Sequence, residues 1–198
     1  RCTGVRRIMV PEGVVDEVIR AVGKRLAGAT LGDPSVDGVR MGPLASKAQV
    51  AEVRKSVDGI KAAAEVVYGN YDDFAVTGAD RTRGAFFPAM LLHCAEPLRR
   101  TEVHDIEAFG PVSTVMGYRT VADACDLAKR GKGSLCGSLF SGDDRVAREV
   151  VLGTAAFHGR LMLVNRRSAK ESTGHGSPMP QLVHGGPGRA GGGEEMGG

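Results

Sequence analysis

The sequence predicts an α/β fold: a mainly parallel sheet with helices on both faces, ending in a glycine-rich irregular C-terminal segment. Three observations carry that expectation. Short β-prone runs alternate with amphipathic helical segments from the first residues to Asn165, the order that βα units require. Capping patterns mark helix starts at Ser46 and Thr120, where a side-chain oxygen can accept from an otherwise orphaned backbone N–H. Glycine supplies 29 of the 198 residues, many in short connections where positive φ is needed.

Taken in order, residues 5–10 (VRRIMV) form the first β-prone run. Pro11 stands where a first helical turn tolerates it, and Val15, Val18, Ile19, Val22 and Leu26 follow at helical spacing. After the loop LGDP, Ser46 and Gln49 form a capping-box pattern. The helix behind it has Val50, Val53, Val57, Ile60 and Ala64 as its apolar face. EVVYG reads as a strand, and so does the stretch around AFFPAMLLHC, although Pro88 places that stretch near an edge or a bulge. VSTVMGY is another strand. Thr120 and Asp123 cap a helix carrying Val121, Ala124, Leu127 and Ala128. SLCGSLF, DDRVAREVVLG and LMLVN then repeat strand, helix, strand.

From Glu171 onward no helical or strand period survives. By composition ESTGHGSPMPQLVHGGPGRAGGGEEMGG is a flexible tail or linker. The other reading is an ordered irregular loop whose glycines let backbone approach a ligand or a neighbouring subunit. The expected organisation is an α/β domain over residues 1–170 and the irregular segment over 171–198.

Composition limits the function. Hydrophobic residues make up 42% and charged residues 25%, as in ordinary globular proteins. The 26 basic and 23 acidic residues are spread along the chain for a net charge of +3, which argues against nucleic acid as a partner. No apolar run approaches the ~18 residues of a membrane span. Of the four cysteines, Cys2, Cys94, Cys125 and Cys136, none sits in a C-x-x-C pair, and no zinc spacing appears. Reduced thiols in a cytoplasmic protein are expected, with Cys94, Cys125 and Cys136 as small buried hydrophobes. No metal is expected: His175 and His184 lack a third ligand at suitable spacing.

Familiar phosphate and nucleophile motifs are missing. There is no G-x-x-x-x-G-K-(S/T) loop, no G-x-G-x-x-G after a strand and no G-x-S-x-G elbow. Instead Arg1-Cys2-Thr3, running into VRRIMVP, resembles the catalytic-cysteine motif of the aldehyde dehydrogenase superfamily. Farther along, Glu107 to Val112 (EAFGPV) looks like that family's E-x-F-G-P-V motif. LGDP, MGPL, FFPAMLL, SLFSGDD and LVN fall in the family's order and cover nearly the whole chain. The tail and EAFGPV are similar to the branch associated with phenylacetate ring opening and with CoA-linked semialdehydes of benzoate degradation.

The resemblance implies the fold of the aldehyde dehydrogenase catalytic domain, beginning at the nucleophile, and roles for particular residues. Cys2 would be the nucleophile, since a thiolate adds to an aldehyde and leaves a hydrolysable thioester. Glu107 would accept hydrogen bonds from ribose hydroxyls of the cofactor, NADP or NAD, and Phe109 would pack near its nicotinamide. A carboxylate is acceptor-only and can take two hydroxyls. Arg6, Arg7, Arg166, Arg167 and Lys170 flank these motifs and are candidates for the phosphates of a CoA thioester, with solvated surface charge as the other reading. The resemblance also moves the tail from flexible linker to a segment packed near the substrate entrance.

In the family, the general base, the oxyanion-hole asparagine and most of the cofactor domain precede the cysteine, and an oligomerisation strand follows the tail. The expectation is therefore a catalytic fragment, inactive alone, of a homo-oligomeric enzyme acting on a small aldehyde. A CoA-acylating relative and a non-catalytic α/β assembly module are the alternatives.

Overall fold

The computed structural model describes residues 2–177 and 184–195. Arg1, and the parts of the glycine-rich segment at 178–183 and 196–198, lie outside them. The chain divides into two compact units, Val5–Gly117 and a second made of Cys2–Gly4 with Tyr118–Gly198.

In the first unit, β1 (Arg7–Pro11), β2 (Glu65–Tyr68), β3 (Met90–Cys94) and β4 (Val112–Tyr118) form one sheet in the order β1-β4-β3-β2. β3 and β4 run parallel, with Leu91 opposite Ser113 and His93 opposite Val115, while β2 joins β3 antiparallel. Residues of β3 and β4 are buried on both faces, as two-sided coverage of a central strand demands. On one face Leu91 and Val115 meet Val15, with Ile8, Val10, Ile19, Val22 and Leu26 around them. These are residues of β1 and of α1 (Val15–Ala27), whose helical spacing gathers them into one stripe. Met90, Leu92, Cys94 and Met116 point the other way and are equally buried.

Two local expectations need correction. Pro88 does not mark an edge, because β3 begins after it at Met90 and sits between β2 and β4, although the β2–β3 pairing does shift register between Val66 and Tyr68. Pro11 closes β1 rather than opening a long helix, and a 3-10 turn at Glu12–Val14 leads into α1.

α2 (Lys47–Ile60) starts at Ser46, whose Oγ accepts from the Gln49 N–H at 3.1 Å. Val53, Val57 and Ile60 are buried, and Ala64 is buried just beyond the helix. Gln49 answers the N–H of Ala45 (3.0 Å) instead of Ser46, so the capping box is displaced by one residue. A single turn, α3 (Glu102–Asp105), precedes β4 and carries the buried His104.

In the second unit, α4 (Val121–Lys129) opens with a full Thr120–Asp123 capping box. The parallel pair β5 (Ser134–Phe140) and β6 (His158–Val164) is connected through α5 (Asp144–Thr154), which Asp143 caps through the N–H groups of Arg145 and Val146. Part of the glycine-rich segment is built into this unit. β7 (His184–Gly185) pairs antiparallel with β8 (Gly192–Glu195). The Lys132 carbonyl accepts from the Arg189 N–H at 3.0 Å. Lys132 itself has φ 57° and Gly133 φ 115°, and a side chain at Gly133 would collide with the Pro187 carbonyl.

Candidate functional site

Glu107 and Phe109 lie in the connection between α3 and β4, both exposed, on either side of the buried Ala108. The chain is held before and after them through its backbone. Arg6 donates from Nη1 to the carbonyls of His104 (3.1 Å) and Ile106 (3.3 Å). On the other side Gln49 donates from Nε2 to the Phe109 carbonyl at 2.7 Å. A sharp turn follows, with the Gly110 N–H donating to Ala108 O and the Val112 N–H to Gly110 O, each at 2.8 Å. A Cβ on Gly110 would stand 2.8 and 2.9 Å from the two methyl carbons of Val53, so glycine is needed for close approach. The result is a stiff backbone presenting one carboxylate and one aromatic face outward.

Arg6 thus commits its Nη1 to the backbone around this turn. Arg7 Nη1 lies 3.1 Å from His104 Nδ1. With that nitrogen as acceptor, His104 Nε2–H donates to the Pro97 carbonyl at 2.8 Å. Both arginines tie the start of the first unit to the α3 turn. Arg166, Arg167 and Lys170 are exposed in the turn after β6. Asn165 shapes that turn by accepting from the N–H groups of Arg167 (2.9 Å) and Ser168 (3.1 Å).

Cys2 belongs to the second unit and is exposed. Cys94 and Cys125 are buried as expected, and burial pushes both thiols above the ordinary range. Cys136 departs from that expectation. It is only half-buried, and its Sγ lies 3.4 Å from His175 Nε2, whose Nδ1 lies 2.6 Å from Ser138 Oγ. Burial raises the Cys136 thiol, Arg160 opposes that rise and the neighbouring Cys2 adds to it. Burial, and then Arg160, lower the His175 pKa from its ordinary value and favour the neutral imidazole. Arg160 also donates to the Gly176 carbonyl. Among the described residues no group of three His, Cys, Asp or Glu could hold a metal ion. The His184 side chain lies outside the described residues.

Sequence reasoning missed the distant partners of Gln49, Arg6 and His175. Gln49 was visible only as a cap, and only the folded chain shows its amide also reaching Phe109. His175 was weighed as a metal ligand because nothing in its spacing points to Cys136.

Residues 1–196 match the aldehyde dehydrogenase family, and the chain belongs to it. It is 43% identical over 187 residues to the 3,4-dehydroadipyl-CoA semialdehyde dehydrogenase of Aromatoleum evansii, covering 94% of this chain and 36% of that protein. It is 51% identical over 159 residues to protein MaoC of Klebsiella aerogenes, covering 80% and 46%. The chain thus spans between about a third and a half of the curated relatives it matches. Betaine aldehyde dehydrogenase from Staphylococcus aureus superposes with TM-score 0.82 at 26% identity, over 99% of this chain and 36% of that one. Another structure of that enzyme holds NAD+. Succinic semialdehyde dehydrogenase from Streptococcus pyogenes, solved with NADP+, shares the fold with TM-score 0.78 at 22% identity, over 99% and 39% of the two chains. No helix among the described residues is long and apolar enough to cross a membrane.

Proposed function

We propose that this chain is the catalytic part of an NAD(P)-dependent aldehyde dehydrogenase that oxidises a CoA-linked semialdehyde to a carboxylate during degradation of aromatic compounds. The observation that carries the reading is an exposed Cys2 thiol on a chain of this family. The relative from Aromatoleum, named for a CoA semialdehyde, supports the substrate class.

Cys2 adds as thiolate to the aldehyde carbon and forms a thiohemiacetal. Loss of hydride from that carbon leaves a thioester, which water cleaves to the acid and the free thiol. The nicotinamide cofactor, NADP or NAD, supplies the hydride acceptor when bound. Glu107 would hold ribose hydroxyls of that cofactor, and Phe109 would limit the positions open to its ring. Arg166, Arg167 and Lys170, exposed after the end of β6, would meet phosphates of the CoA moiety. The reading includes a homo-oligomeric enzyme of the cytoplasm.

The test is made on the full-length enzyme. Cys2→Ser should lower formation of reduced cofactor by roughly a thousandfold or more. Glu107→Gln should raise the KM for the cofactor by about tenfold, the cost of one charge-assisted hydrogen bond. The product should be free acid; a new acyl-CoA would replace this reading by the acylating one. Cys2 labelling no faster than the buried cysteines would favour a non-catalytic module. Replacing Arg166 and Arg167 by alanine should raise KM for the CoA semialdehyde relative to a CoA-free aldehyde, and an unchanged ratio removes their part.

A further inference from the structure

The second unit holds two of the four cysteines outside the hydrophobic core, and it places the irregular segment against Cys136 and against Thr3, the neighbour of Cys2. Gly176 is the meeting point. A methyl group there would stand 2.6 Å from Thr3 Cβ and 3.2 Å from Cys136 Sγ, so the residue next to Cys2 and the sulfur of Cys136 flank one glycine. Its φ of 72° brings His175 round to Cys136 and Ser138, and Arg160 anchors its carbonyl.

We propose that Cys136 is a resolving thiol for Cys2: after a peroxide oxidises Cys2, a Cys2–Cys136 disulfide closes, with His175 as the base. This rests on the reading of Cys2 as a reactive thiol and goes beyond it.

The chemistry balances without a further oxidant. The Cys2 thiolate attacks one oxygen of the peroxide and the O–O bond breaks. Sulfur takes one oxygen and becomes a sulfenic acid, while the other leaves as hydroxide or alkoxide and takes a proton from solvent to become water or an alcohol, the peroxide having accepted two electrons. When His175 carries its hydrogen on Nδ1, toward Ser138 Oγ, Nε2 is an acceptor facing Cys136 Sγ. Cys136 yields its proton to that nitrogen and attacks the Cys2 sulfur. The S–S bond forms, the S–O bond breaks, and hydroxide leaves as water with the proton from His175.

The arrangement suits a resolving rather than an attacking thiol. Cys136 stays protonated until needed, because burial raises its pKa and the neutral His175 beside it can take the proton. Cys94 and Cys125, at 0% and 6% exposure, are not open to exchange. A sulfur held in a disulfide cannot add to an aldehyde, so closure stores the nucleophile in a form that thiol reductants return. Without it, a second peroxide carries sulfenic acid to sulfinic acid, which such reductants do not reverse.

The experiment treats the purified protein with a small excess of hydrogen peroxide and maps its peptides by mass spectrometry without reduction. The expected result is a Cys2 peptide linked to a Cys136 peptide, with Cys94 and Cys125 still free and dithiothreitol restoring all thiols. Cys136→Ser should let Cys2 accumulate as sulfinic acid. His175→Asn should slow closure by about tenfold or more; an unchanged rate overturns the part given to His175. Sulfinic Cys2 beside a free Cys136 in the unaltered protein overturns the proposal. Labelling of the reduced protein with iodoacetamide separates the two readings. A Cys2 that is neither labelled nor oxidised faster than Cys136 sinks both, whereas a labelled but unlinked Cys2 sinks only this one.

Discussion

The two units are built on unlike cores. In the first, the middle strands are dry on both faces: Leu91, Leu92, Val115 and Met116 all have 0% exposure. In the second, β5 and β6 are partly exposed through most of their length, and Phe140, Leu152 and Leu163 stand 73%, 73% and 49% open. The first unit can therefore hold its exposed Glu107 and Phe109 on a backbone fixed by Arg6 and Gln49, leaving both side chains clear. In the second, chemistry-bearing groups sit within a shallow interior, where Cys136, Ser138 and His175 answer one another. A deep core serves a fixed display, and a half-buried pocket tunes thiols and imidazoles without silencing them.

The strongest challenge to that contrast is a pair of matched truncations. Leu91→Ala should destabilise its unit by about 2–5 kcal/mol through lost burial and a residual cavity, while Leu163→Ala should stay within about 0.5 kcal/mol. Denaturant titration of each variant reads both, and equal costs would erase the distinction between the units. Next comes Gly110→Ala. Its new methyl would press on the branched Val53 side chain, with an expected loss of about 1–3 kcal/mol and a displaced 106–110 segment visible by hydrogen exchange.

A smaller effect belongs to the surface cap of α5. Asp143→Ala removes acceptors for the Arg145 and Val146 N–H groups and should cost about 1 kcal/mol in thermal unfolding. The smallest is confined to the irregular segment. The folded His175 pKa lies below its ordinary 6.5, so the unfolded state binds more protons in the acid window. Its contribution is thus complete above pH 6.5 and lost as pH falls below that value. Hydrogen exchange at residues 174–177 should quicken on acidification, and NMR should place the His175 titration below 6.5. A titration at or above that value would contradict a desolvated imidazole.

Much of the first unit could be read directly from residues. The stripe Val15, Ile19, Val22 and Leu26, the Ser46 cap and the apolar run MLLHC each obey a local period or a capping rule. The Thr120–Asp123 box did the same in the second unit. Legibility failed where one side chain serves two distant partners. Gln49 looks like a capping residue because its near partner is four residues away, and its far partner, Phe109, is fixed only by the sheet register. His175 sits in a stretch without periodicity, so nothing local connects it to Cys136. The pairing β7–β8 was hidden for the same reason, since a run of glycines offers no side chains to alternate.

Gln49 carries one more consequence. Its oxygen takes the Ala45 N–H while its nitrogen gives to Phe109 O, so the cap of α2 and the EAFGPV turn hang on the two ends of one amide. Spontaneous deamidation would exchange that nitrogen for oxygen, leaving size and shape intact and setting two acceptors face to face. The slow hydrolysis that ages proteins in storage thus has a site here where a single atom changes the grip on the turn, and a mass gain of about 1 Da at this peptide would report it.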